Sequence, residues 1–161
     1  MRPKKVVETG VARGVTTRFI LEGLERNGEG RLWSIDLPPL RQGDLPEETG
    51  AAVPERCRAR WAYIKGSSRR RLPGLLAELD KIDLFVRDSM HTARNLRFEL
   101  DHAWASLRPG GALLVDDVDH NDAFHSFTET FTGLRSLIAR HDDGQGLFGI
   151  VLKQAGSGAN P

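Results

Sequence analysis

The chain has 161 residues, 39% of them hydrophobic and 28% charged, which suits one globular domain large enough to bury its own core. A formal net charge of +1 supplies no global field for nucleic acid or a membrane surface, and Cys57, the single cysteine, excludes an internal disulfide and a cysteine-built zinc site. No segment reaches the ~20 apolar residues of a membrane span. The opening Met1-Arg2-Pro3-Lys4-Lys5 leads into a strand-like run rather than a signal-peptide core, so a cytoplasmic location is expected.

Lys5-Val6-Val7-Glu8 reads as a first short strand, closed by the glycine turn Gly10-Val11-Ala12-Arg13-Gly14. Thr16 or Thr17 is expected to cap a helix with Ile20, Leu21 and Leu24 on one face, stopped at Asn27-Gly28. Arg31 to Ile35 is a second strand ending at Asp36, and the proline- and glycine-rich stretch 37–54 is a long loop, a length that favours a functional role. A short helix over Val53–Arg60, a strand over Trp61–Lys65, a helix over Leu72–Leu79 and a strand over Ile82–Arg87 follow, the last ending at Asp88. The Arg69-Arg70-Arg71 run reads as a solvated helix start, with an anion site as the alternative. Leu96, Leu100, Ala103 and Leu107 recur at helical spacing until Arg108-Pro109-Gly110-Gly111 stops them. Ala112 to Val115 is apolar on both faces, as a central parallel strand is, and ends at Asp116-Asp117. Phe124–Phe131 reads as a helix whose phenylalanines pack, Ser136–Ala139 and Leu147–Lys153 as strands, and residues 154–161 as a flexible tail beyond a domain of residues 1–153.

Strand–helix alternation of this kind predicts an α/β, doubly wound, mostly parallel sheet, in which ligands bind beyond the carboxyl ends of the strands. Glu8, Asp36, Gly66-Ser67-Ser68, Asp88 and Asp116-Asp117 stand at those ends. A dinucleotide site calls for Gly-x-Gly-x-x-Gly and an acid about 20 residues later for the ribose. Here Asp36 supplies the acid, but the turn lacks the glycine that seats a pyrophosphate. An acid at Glu8 repels phosphate and suits an amino group. The combination points to a nucleoside carrying an amino acid. Two plainer readings stand beside it: Gly10 as an ordinary strand–helix turn, and Glu8 as a structural capping acid.

Glu8-Thr9-Gly10-Val11-Ala12-Arg13-Gly14 resembles the first motif of class I S-adenosylmethionine (SAM)-dependent methyltransferases. Asp36 matches their ribose-binding acid, and Leu107-Arg108-Pro109-Gly110-Gly111-Ala112-Leu113-Leu114-Val115-Asp116-Asp117 resembles their helix-to-fifth-strand signature. The likeness spans about residues 4–153 and implies a Rossmann-like domain. It also implies cofactor contacts from Glu8, Gly10, Gly14 and Asp36, from Ser67 or Ser68 near the adenine, and from Asp88. Relatives often carry an acid where the two serines stand.

Val86 to Asn95 and Leu113 to Asp122 resemble the fourth- and fifth-strand ends of small-molecule, sugar-type, metal-dependent O-methyltransferases. That resemblance implies Mg²⁺ or another divalent cation on Asp88, Asp116 and Asp117, hard oxygen ligands suited to such an ion. The ion would hold and acidify a small-molecule hydroxyl. Met90 stands where sugar-type relatives often place a second acid, with His91 next; His91 is therefore the candidate base alongside Asp88, because histidine titrates near neutrality. Asp119, His120 and Asp122 are turn residues that could extend the metal site and are left outside it. Few residues precede the first strand, whereas most relatives carry covering N-terminal helices there; exposed apolar surface and a homo-oligomer are expected in consequence. A non-catalytic SAM-binding module and a nicotinamide-dependent oxidoreductase are the competing readings.

Overall fold

The computed structural model describes residues 1–37, 49–132, 134–142, 144, 146–154 and 158–159. Its strands are β1 (Lys5–Thr9), β2 (Arg31–Asp36), β3 (Trp61–Lys65), β4 (Ile82–Arg87), β5 (Leu107–Val115), β6 (Phe131–Thr132), β7 (Arg135–Arg140), β8 (Leu147–Leu152) and β9 (Gly158–Ala159). Its helices are α1 (Val15–Asn27), α2 (Ser68–Leu79), α3 (Ala93–Ser106) and α4 (Ala123–Thr130), with a 3₁₀ helix at Glu55–Arg60. Seven strands form one sheet in the order β3-β2-β1-β4-β5-β8-β7, parallel except where β8 runs antiparallel to β5 and β7. This is the doubly wound α/β sheet expected from the alternation, and its topological switch lies between β1 and β4.

Two apolar layers hold it. On one face Leu21 and Leu24 of α1 pack with Val6, Leu32, Val53 and Cys57. On the other, α2, α3 and α4 bury Leu72, Leu76, Leu96, Leu100, Trp104 and Phe127 against Phe85, Leu113 and Val115. Phe124 and Phe127 belong to this core, at 2% and 0% exposure, so the phenylalanine spacing of α4 is a packing face as expected. Arg69, Arg70 and Arg71 lie exposed in the first turns of α2, the solvated helix start. No helix among the described residues is long and apolar enough to cross a membrane.

Several boundaries move. Helix α1 begins at Val15 with the left-handed Gly14 as its N-cap, so neither Thr16 nor Thr17 caps it; Thr17 instead lies inside the helix and donates to Glu8. Helix α2 begins at Ser68, ahead of the apolar face that starts at Leu72, because its first turn is solvated and carries no apolar periodicity. Helix α3 ends at Ser106 rather than at the proline–glycine stop. Leu107 is buried and pairs with Ile82, so β5 starts there; the register then shifts before Leu84 pairs with Ala112, and Arg108 to Gly111 form the irregular stretch. In the segment read as a tail, Gly158–Ala159 pairs with Phe131–Thr132, while residues 155–157 and 160–161 lie outside the described residues. So do residues 38–48 of the long loop.

Candidate functional site

The register of the sheet builds the site. Ile35, Thr9, Arg87 and Val115 form one row across β2, β1, β4 and β5. The next residue of each strand is Asp36, Gly10, Asp88 and Asp116. Cross-strand bonds carry the ladder one step further: Gly10 N–H donates to Ile35 O (2.9 Å), Asp88 N–H to Thr9 O (2.8 Å) and Asp116 N–H to Arg87 O (2.9 Å). At the usual strand spacing this row is roughly 14–15 Å long, enough for a nucleoside with an extended substituent.

The glycine turn is shaped by backbone rather than by side chains. Gly10, Ala12 and Gly14 have φ of 88°, 44° and 82°, the left-handed region. A Cβ on Gly10 would lie 1.7 Å from Asp88 O, and one on Gly14 2.8 Å from Gly50 Cα. Gly50 N–H and Ala52 N–H donate to Ala12 O and Arg13 O, so the end of the long loop is laid on this turn. Asp36 Oδ2 accepts from Ala12 N–H at 3.1 Å, which ties the expected ribose acid to the turn. Beyond it a cleft of ≈ 620 Å³ is lined by Leu37, Gly66, Ser67, Arg70 and Arg71. Ser67 thus lies at the cleft, as N-cap of α2, and Ser68 is the first residue of that helix.

Glu8 lies beneath the turn with 0% exposure. Its Oε2 accepts from Thr17 Oγ1 (2.8 Å) and Ser34 Oγ (2.6 Å), while the buried Oε1 has no hydrogen-bond partner among the described residues. Burial pushes its carboxyl from 4.5 up to about 7, against the bonds from Ser34 and Thr17, with Asp88 and Asp36 adding to the rise. The folded state therefore holds this proton more tightly than the unfolded chain. The stability it contributes is full below pH 4.5 and lost as pH rises through about 7. At ~1.4 kcal/mol per unit, Glu8 makes the chain roughly 2–3 kcal/mol less stable at pH 8 than at pH 5. Glu8→Gln, which can still accept both hydroxyls, should remove that share of the pH dependence in urea melts. An unchanged difference between the two pH values in the variant would refute it.

At the other end of the row, a cavity of ≈ 250 Å³ is lined by Thr16, Val86, Arg87, Asp88, Leu114, Asp116, His141 and Phe148. Burial, followed by the charges of Asp116 and Asp117, pushes the Asp88 carboxyl up to about 6. The three expected metal acids therefore sense one another, but they have different partners. Asp116 Oδ1 meets His141 Nε2 at 2.8 Å, whereas Asp117 Oδ2 meets His91 Nδ1 at 3.0 Å and His120 Nδ1 at 3.7 Å. Asp119 instead accepts from Leu147 N–H at 3.0 Å.

Residues that sequence reasoning missed hold these loops in place. Arg87 and Glu99 form an ion pair at 3.3 Å with both side chains fully buried. Arg87 donates to Asp116 O (3.4 Å) and to Met90 O, and Glu99 accepts from Ser89 Oγ and Asn95 Nδ2. The fourth-strand and fifth-strand loops are thus hung from one guanidinium. A charged residue at the end of a strand and another in the middle of the following helix is a faint signal in a sequence; His141, just past β7, carried none. Val15 and Phe19 on α1 stand 57% and 68% exposed, apolar surface of the kind expected near the first strands.

Residues 7–118 match a methyltransferase domain family. The chain belongs to that family. Among solved structures this methyltransferase-family chain is similar to the O-methyltransferase TomG from Streptomyces achromogenes, involved in tomaymycin synthesis and in complex with SAM. That likeness has 19% identity and a TM-score of 0.70, over 96% of this chain and 74% of the other. A cofactor-bound protein from MTB matches at 18% identity and TM-score 0.72, over 96% and 75%. An O-methyltransferase from Bacillus cereus in complex with SAH matches at 15% and 0.64, over 94% and 74%. No curated protein matches the sequence. The family and the sheet order agree with the class I methyltransferase resemblance of the motifs.

Proposed function

We propose that the chain transfers the methyl group of SAM to a hydroxyl of a small molecule. The observation that carries this reading is the single row Asp36, Gly10, Asp88 and Asp116 at the carboxyl edge of the switch-point strands. Its β2 end has an acid suited to ribose hydroxyls, its centre a backbone turn open to close approach, and its β5 end a partly apolar cavity with acids. The residues fit the cofactor in chemistry. One buried oxygen of the Glu8 carboxyl has no partner among the described residues, an acceptor that an ammonium group can satisfy through water. The SAM- and SAH-bound relatives support the same reading.

On the acceptor side, His91 is the base. Asp117 accepts from its Nδ1, which leaves Nε2 to take the hydroxyl proton as the oxygen attacks the methyl carbon and the sulfonium leaves as thioether. Displacement is a single step, so holding donor and acceptor in line supplies much of the acceleration. The carboxylates of Asp88, Asp116 and Asp117 are hard donors of the type a divalent cation takes, and the raised carboxyl of Asp88 marks a place where positive charge is favoured, but among the described residues the three do not gather their oxygens within 4.8 Å as a ready ligand set. Such an ion would polarise the acceptor oxygen.

Calorimetric titration with SAH and with NAD tests the cofactor. SAH should bind, and Asp36→Ala should weaken it by about 1.5–3 kcal/mol, the scale of a lost charged hydrogen-bond partner. Binding of NAD in place of SAH would overturn the reading. Turnover is then read by mass spectrometry as methyl gain on a panel of hydroxylated small molecules.

A further inference from the structure

Three side chains outside the row converge on one point. His91, Asp117 and His120 each offer a ligating atom, and these atoms lie within 4.8 Å of one another. We propose that His91, Asp117 and His120 form a site for a borderline divalent transition metal such as zinc or cobalt. The proposal rests on the functional reading only for its effect on His91; the binding itself is independent of it.

The donor set decides the metal class. Two imidazoles and one carboxylate suit zinc, cobalt or nickel, whereas magnesium prefers oxygen donors and ordered water. The carboxylate set of Asp88, Asp116 and Asp117 shares only Asp117 with it. All three side chains remain accessible, at 42%, 25% and 51% exposure for His91, Asp117 and His120, so an ion can reach them and keep open positions.

The loops arrive already arranged. Asp117 sits at φ 52°, in the left-handed region, just past the end of β5. His120 N–H donates to Asp117 O at 3.3 Å, and Asn121 Nδ2 donates to His91 O at 3.3 Å, so the two loops are linked across the site. The rings of His91 and His120 meet edge-to-face with centroids 5.4 Å apart. Each imidazole presents Nδ1 to the same oxygen, Asp117 Oδ2, at 3.0 and 3.7 Å.

Metal binding has a chemical consequence for His91. An ion on Nδ1 takes that lone pair and leaves the remaining proton on Nε2, so the ring can no longer accept the hydroxyl proton. A loaded site is therefore an off state for methyl transfer.

Titration of the untagged chain with Co²⁺, followed by visible absorption, tests the site directly. Cys57 is fully buried, so thiolate bands do not interfere. Binding in the micromolar range with the intense d–d bands of four- or five-coordinate cobalt is expected. His120→Ala should weaken it at least tenfold with an unchanged far-ultraviolet circular dichroism spectrum, and Asp88→Asn should leave it unchanged. No binding below millimolar Co²⁺ would overturn the site, as would binding indifferent to His120→Ala. Loss of binding in Asp88→Asn with retention in His120→Ala would assign the ion to the carboxylate set instead. SAH titration of the same samples reports separately on the cofactor reading, and zinc inhibition of turnover on the off state.

Discussion

Glu99→Ala is expected to destabilise the chain by about 3–5 kcal/mol, the cost of breaking a buried ion pair from one side. Arg87 and Glu99 are both fully buried, and the substitution leaves the guanidinium charged without its carboxylate. It also strips Ser89 Oγ and Asn95 Nδ2 of the acceptor that they share. Because Arg87 also donates to Met90 O and Asp116 O, the loss should reach beyond stability. The loops that carry Asp88, His91 and Asp116 lose a common anchor, so turnover should fall further than the folded fraction alone explains. Urea denaturation measures the first effect, and activity per folded molecule the second. Replacing both partners, as Arg87→Met with Glu99→Leu, should recover much of the stability, since a buried pair contributes little net stability over apolar groups of similar size. A loss below 1 kcal/mol in the single variant would mean that water reaches the pair.

Gly10→Ala is the second large effect. The added Cβ would stand 1.7 Å from Asp88 O and 2.4 Å from Asp88 C, both backbone atoms that cannot swing aside. At φ 88° an alanine also adopts the left-handed region at a cost of ~1 kcal/mol or more. Together with overpacking, the change should cost roughly 2–5 kcal/mol. What relief is available comes from moving Asp88 away from the row, so SAH affinity should drop as well. Gly23→Ala is the matched control. It lies exposed within α1 with nothing within 4 Å of an added Cβ, and should stabilise by roughly 0.5–1 kcal/mol. Equal melting temperatures for Gly10→Ala and the parent would show that the turn is not packed as described.

The strands and their polar ends were legible in the amino-acid order because strand period, helix period and turn chemistry are local. Val6-Val7 and Ala112 to Val115 are apolar on both faces, as strands of a sheet covered on both sides are, while Asp36 closes its strand and Gly10, Asp88 and Asp116 follow the last residues of theirs. The starts of α2 and β5 were misread for the converse reason: a solvated first turn has no periodicity, and pairing with Ile82 pulls Leu107 out of the helix it matches.

Which strand ends become neighbours was decided only in the tertiary structure. The order β2-β1-β4-β5 and its register set the row, and both depend on burial of remote helices on the two faces of the sheet. The same packing seals Glu8 completely, pairs Asp116 with His141 and lays Gly50 on the glycine turn. It also gives Asp116 and Asp117, adjacent in sequence, different partners, His141 for the first and His91 with His120 for the second. Sequence spacing specifies which groups a strand end carries. The partner each group meets is set by long-range packing, because the energy that holds two loops together comes from the core beneath them.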